Sequence, residues 1–202
     1  SESLTRATAS KDGKRVYTYR CAVCGKQYTK TVAYYKASNI KLSKTAYTYN
    51  GKVQRPGVTV KNSKGKALKS TDYKIDYPKG MKNVGKYTVK VTLKGNYSGS
   101  KSMTYNINPK GTGVSKVTAA KKGFKVTWKK QATQTTGYQV QYSTSSKFKK
   151  AKTVTISKNK TTSKSVGKLS AKKKYYVRVR TYKTVKVNGK NVKLYSGWSK
   201  AK

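Results

Sequence analysis

Leu169-Ser-Ala-Lys-Lys-Lys-Tyr175-Tyr-Val-Arg178-Val-Arg180-Thr-Tyr182, continuing Lys-Thr-Val-Lys-Val187-Asn188-Gly189-Lys190-Asn-Val-Lys-Leu194-Tyr-Ser-Gly-Trp198, decides the fold of the second half of this chain. Its residues alternate between apolar and long polar side chains, the pattern of a strand whose two faces meet different surroundings. Tyr175, Val177 and Val179 are expected to face a core, and Tyr176, Arg178, Arg180 and Tyr182 to face outward. Asn188-Gly189 lies between two such runs. A two-residue turn with positive φ at both positions favours this pair above others, so the stretch reads as one long antiparallel hairpin.

Working outward, residues 114–202 give Val114 to Val117, Phe124-Lys-Val126-Thr-Trp128, Gly137-Tyr138-Gln-Val140-Gln-Tyr142, Lys152 to Ile156, Ser163 to Leu169 and the hairpin. Seven strands in about 90 residues is the count of an immunoglobulin-like sandwich. On Trp128, Tyr138-x-Val140-x-Tyr142, and Leu169 with Tyr175 before Val177-x-Val179, this half resembles a fibronectin type III domain over its full length. The resemblance implies that the Tyr175 hydroxyl bonds backbone upstream as a tyrosine corner. Ala171 departs from it, standing where the family often has proline.

Residues 38–110 carry turn signals every eight to twelve residues, again the spacing of a sandwich. Strands are expected around Ile40 and Leu42, Tyr47 to Tyr49, Val58 to Val60, Tyr73 to Tyr77, Tyr87 to Leu93 and Met103 to Ile107. Tyr49-Asn50-Gly51, Asp72-Tyr73, Asn83-Val84-Gly85-x-Tyr87, Gly95-Asn96-Tyr97-x-Gly99 and Tyr105-x-Ile107-x-Pro109 resemble the immunoglobulin-like repeats of Gram-positive bacterial surface proteins. Lys110-Gly-Thr-Gly113 is a short flexible linker. Residues 1–37 form a smaller leading unit: a strand from Arg15 to Arg20, a tight Cys21-Ala-Val-Cys24-Gly25 turn and a return from Gln27 to Tyr35. A lone two-stranded hairpin is marginal, so it is expected to lean on the next domain or to have lost an upstream partner. It resembles short units that precede such repeats in exported proteins of gut clostridia.

The fold class expected is therefore all-β, two tandem Ig-like antiparallel β-sandwiches at 38–110 and 114–202 preceded by a small β-hairpin at 1–37. The 202 residues carry 49 Lys+Arg against Glu2, Asp12, Asp72 and Asp76, a net charge of +45. Self-repulsion on this scale keeps a chain soluble and monomeric and draws it to polyanions. All but six of the basic residues are lysines, spread along the whole chain rather than gathered in one stripe. Sequence-specific nucleic-acid readers prefer the bidentate fork of arginine, so the field reads as diffuse. The anionic polymers it fits are wall teichoic acids, sulfated or sialylated mucin glycans and extracellular DNA. No apolar run approaches the length of a membrane span. The resemblance implies an extracellular or bacterial cell-surface location.

Catalysis is disfavoured. Histidine, the commonest acid-base group, is missing, which leaves no Ser-His-Asp or Cys-His site. Asp72 and Asp76, four apart on an expected strand, would stand about 13 Å apart, too far for a glycosidase pair. No cofactor is expected. Cys21 and Cys24 have half the ligands of a structural zinc site. A local disulfide or free dithiol, a zinc shared between two chains, and the remnant of a site completed upstream all fit that spacing.

Arg178 and Arg180 face the Tyr195-Ser-Gly-Trp198-Ser segment. The set Arg178, Arg180, Tyr195 and Trp198 resembles the arginine–aromatic ladder of cytokine-receptor fibronectin domains, with Tyr195 in place of tryptophan. Flat register from Asn188-Gly189 would put Trp198 opposite Val179 on the core face. A one-residue bulge at Ser196-Gly197 is expected to turn it to the arginine face. Three functions are open: a non-catalytic surface module that spaces and adheres, a polyanion- or nucleic-acid-binding protein, and accessory domains of a larger secreted enzyme.

Overall fold

The computed structural model describes residues 1–202 and is all-β, apart from one 3-10 turn at Ser70–Asp72. Contacts group it into two compact units. The first holds Ser1–Thr45, Arg55–Lys79 and Tyr87–Tyr105; the second holds Ala46–Gln54, Gly80–Lys86 and Asn106–Lys202.

In the first unit, β1 (Glu2–Thr5), β2 (Gly13–Arg20) and β3 (Gln27–Tyr34) form an antiparallel meander. The sequence signalled only the β2–β3 hairpin. Glu-Ser-Leu-Thr lacks a clear alternation, and pairing along Val16 and Arg15 makes it a strand. Glu2 also ion-pairs with Arg15 at 2.9 Å, and the other arm of Arg15 donates to Asn96 Oδ1 at 2.7 Å. The meander leans on the turn after β8 (Gly85–Leu93), as its small size requires. Ala7 is fully buried, bridges Tyr97 in parallel, donates its N–H to Asn96 O and accepts from Ser98 N. Gly13 is forced by this packing: a Cβ there would lie 2.3 Å from Ala7 N and 2.4 Å from Thr5 O.

Strands β4 (Asn39–Leu42) and β6 (Val58–Lys61) pair as one small sheet, and β7 (Tyr73–Asp76), β8 and β9 (Ser100–Asn108) lie side by side in another. Ile40, Val60, Leu68, Val91, Leu93 and Tyr97 are buried in a common core with Ala7 and Ala37. Asp72 belongs to the 3-10 turn rather than a strand. The four acids are dispersed: Asp76 pairs with Lys74 at 2.6 Å, and Asp12 accepts the Lys36 N–H at 2.6 Å.

The second unit contains a departure from purely antiparallel pairing. β5 (Ala46–Thr48) runs parallel to the Asn106–Asn108 end of β9. Gln54 N–H donates to Met81 O and Tyr49 N–H to Asn108 O, which tie these short segments to the unit.

The rest of this unit is a sandwich. One sheet is β10 (Val114–Ala120), β11 (Gly123–Trp128) and β14 (Ser163–Val166); the other is β13 (Lys152–Ile156), β12 (Gly137–Ser143), β15 (Tyr176–Val187) and β16 (Lys190–Tyr195). Phe124, Val126, Trp128, Tyr138, Val140, Tyr142, Val166, Val177 and Val179 form the core between them, with Leu169 and Tyr175 packed at its margin. The long hairpin closes on Val187 opposite Lys190, with Asn188 and Gly189 at φ 49° and 77°.

Two details differ from the sequence expectation. The Tyr175 hydroxyl makes no hydrogen bond to upstream backbone. Its ring instead sits 6.3 Å from Tyr142, and β15 begins one residue later. The turn before it, built on Ala171 and on Lys172 at φ 57°, does not bring a carbonyl within its reach. Tyr182 does lie on the arginine face, yet it is only 2% exposed. Tyr195 and the Lys193 ammonium cover it, at 6.1 and 5.1 Å.

Candidate functional site

The outer face of the β13-β12-β15-β16 sheet carries the most organised side-chain array in the chain. It starts from the cross-strand register, which sets Gln139 opposite Arg180 and Gln141 opposite Arg178. Each amide oxygen accepts two N–H groups from the facing guanidinium, at 2.9 and 2.7 Å for Arg180 and 2.8 and 2.5 Å for Arg178. The amide nitrogens then donate to Thr155 and Thr153 on β13, both at 3.1 Å. Glutamines paired in this way fix the planar forks in one orientation, with their π-faces free to stack.

Aromatic rings fill those faces. Phe148 lies 3.8 Å from the Arg178 carbon, Trp198 lies 4.8 Å from Arg178 and 4.3 Å from Arg180, and Tyr195 lies 3.9 Å from Arg180. The order is Phe148, Arg178, Trp198, Arg180, Tyr195, so Arg178, Arg180, Tyr195 and Trp198 come together as one ladder. Each contact is within the ~6 Å range of a cation–π interaction. Burial lowers both guanidinium pKa values, but they remain cations at neutral pH.

Trp198 reaches this face because the register slips after β16. Ser196 N–H donates to Thr181 O, but the next backbone bond runs from Ser199 to Val179 O, one residue later than flat pairing requires. The extra residue lies within Gly197–Trp198. The side chains of Ser196 and Ser199 accept the N–H groups of Thr181 and Val179, both at 3.0 Å. Two hydroxyls thus replace the carbonyls that a regular partner strand would offer.

Sequence reasoning missed Phe148, Gln139 and Gln141. The glutamines had a signal, being the outward residues of β12 opposite the arginines. Phe148 had none, because it projects from a loop at φ 54°.

Residues 108–194 match the fibronectin type III domain. The matched stretch contains Trp128, Leu169, Tyr175, Arg178 and Arg180 and stops before Tyr195 and Trp198. Domains of this kind are generally structural modules rather than catalysts, and they are common in extracellular proteins. Two solved structures are similar over 94% of the chain. Domains A168–A170 of titin share 15% identity, cover 72% of that chain and give a TM-score of 0.33. The FN1–FN3 domains of chicken CNTN1 share 11%, cover 76% and give 0.38. No curated protein matches the chain. No helix is long and apolar enough to cross a membrane.

Cys21 and Cys24 are free thiols on the β2–β3 turn. Cys21 Sγ accepts the Cys24 N–H at 3.3 Å, and Gly25, at φ 69°, donates to Cys21 O. The Cys24 N–H lowers the Cys21 thiol pKa. No group of three or more metal-ligating residues accompanies the pair. Cys21 is expected to be alkylated by iodoacetamide before Cys24 near pH 7.5, because the lowered pKa raises its thiolate fraction at a pH below that of an ordinary thiol. Peptide mapping by mass spectrometry reads the order, and earlier labelling of Cys24 would contradict it.

Proposed function

We propose that this chain is a non-catalytic segment of a larger extracellular protein, of the bacterial cell-surface kind, that spaces its neighbours and adheres as a monomer to anionic polymers. It is organised as a leading unit at 1–37, an immunoglobulin-like sandwich at 38–110 and a fibronectin type III domain at 114–202. One observation carries the adhesive part. All four acids lie at or before position 76, so residues 106–202 contain no Asp or Glu at all. Every cation there lacks an internal carboxylate partner, and the counter-charge must come from outside. The dispersal of the acids supports the absence of catalysis, since paired-carboxylate chemistry needs two in one cleft.

Teichoic acids, sulfated or sialylated mucin glycans and extracellular DNA all offer the required charge. A glycan and wall-polymer array at ~0.15 M salt, repeated at ~0.5 M, tests the reading. Binding to several polyanion classes that falls steeply with salt is expected. Absence of binding at the lower salt would refute adhesion, and binding to one DNA sequence alone would favour nucleic-acid recognition.

A further inference from the structure

Arg178 and Arg180 are held in place by Gln139, Gln141 and the aromatic rings stacked on their faces, whereas the lysines of the second unit include a group with no protein partner. One group of them is not simply spread over a flat face. Lys149, Lys150, Lys152 and Lys168 surround a cavity of about 210 Å³ at the end of the sandwich, floored by Tyr142 and Tyr175. None of the four ammonium groups has a hydrogen-bond, ion-pair or ring partner within the protein. The Tyr175 hydroxyl has no hydrogen-bond partner within the protein either.

The backbone beneath these lysines is unusual. Lys150 and Lys168 both occupy the left-handed region, at φ 49° and 57°. Glycine or asparagine would sit there at lower cost, and such conformations persist where surrounding structure over-determines them. Both loops are indeed pinned. Ser143 Oγ donates to Lys149 O at 2.7 Å and accepts from Ser145 N at 3.0 Å, and Leu169 N–H donates to Lys122 O at 2.9 Å. Two anchored, strained loops thus hold lysines over an aromatic floor.

We propose that this cup binds one sugar unit of an anionic polymer, a pyranose ring carrying a sulfate or phosphate ester. The ring packs on Tyr175, and the ester oxygens lie between Lys150 and Lys168. Aromatic faces suit the apolar side of a sugar ring, and ammonium groups supply charge-assisted hydrogen bonds to ester oxygens. The proposal rests on the adhesive reading above and gives it a location.

Calorimetric titration of the whole chain at ~0.15 M salt, with a sulfated tetrasaccharide and separately with a phosphorylated tetrasaccharide, tests it. Lys150→Ala with Lys168→Ala is expected to weaken binding of at least one probe about tenfold. Lys125→Ala with Lys164→Ala removes equal charge from exposed positions of the opposite sheet and is expected to change it less than about twofold. Lys150→Gly supplies a second readout, because it should weaken binding while raising Tm by relieving the left-handed strain. Which probe responds identifies the ester. Equal losses from both lysine pairs would overturn the cup and leave a diffuse adhesive field intact. No binding of either probe by the unaltered chain would overturn the cup, and the polymer array would then decide the adhesive reading by itself.

Discussion

Gly137→Ala is expected to prevent stable folding of the second sandwich, at a cost of about 4 kcal/mol or more. Gly137 opens β12, where a Cβ would lie 2.0 Å from Ile156 O and 3.1 Å from a Tyr182 ring carbon. The nearer neighbour is a backbone carbonyl, so no side-chain rotation relieves the overlap. The strand cannot easily retreat, because Thr136 N–H donates to Tyr182 O and Thr184 N–H to Thr136 Oγ1. Accommodation requires β13 to peel from β12 at Ile156 and Tyr182 to leave its buried place. Urea unfolding followed by tryptophan fluorescence reads the effect, since both tryptophans lie in this sandwich. A loss below about 1 kcal/mol would mean that the close β12–β13 approach is wrong.

Trp128→Ala is expected to cost about 3–5 kcal/mol, the range for emptying an aromatic core position. Trp128 is 3% exposed and packs 5.3 Å from Tyr138. Its indole N–H is buried with no hydrogen-bond partner from the protein. Trp128→Phe separates the two contributions. It loses ring volume but removes an unsatisfied donor that itself costs about 1–3 kcal/mol. The phenylalanine variant should therefore stay within about 1.5 kcal/mol of the unaltered chain. Equal losses for both variants would show that the indole nitrogen is satisfied after all.

The hairpin was legible in the sequence because three signals coincide on it: alternation, the Asn188-Gly189 turn and the Leu169/Tyr175 entry. Trp198 was legible for a different reason. Flat register would bury it against Val179, and an outward arginine row gave a competing place for the ring, so a slip was required. What was not legible depends on contacts distant in sequence. Glu2–Thr5 becomes a strand only through β2, and β5 is placed by its parallel pairing with Asn106–Asn108. Period-two alternation assigns Tyr182 to the outer face correctly but says nothing of Tyr195 and Lys193 folding over it. The tyrosine corner failed because it needs a particular turn upstream, and Ala171 already marked the departure there. Phe148 caps the ladder from a loop, where periodicity gives no information.

On the proposed reading, the ladder stabilises a face and adhesion belongs to the lysines. A double-mutant cycle of Arg180→Ala and Trp198→Ala tests that division most directly, with urea stability and polymer binding measured on each variant. A coupling of about 0.5–2 kcal/mol between the two residues is predicted, with polymer affinity unchanged within about twofold. Additive stability losses combined with lost polymer binding would contradict it and make the ladder the binding site.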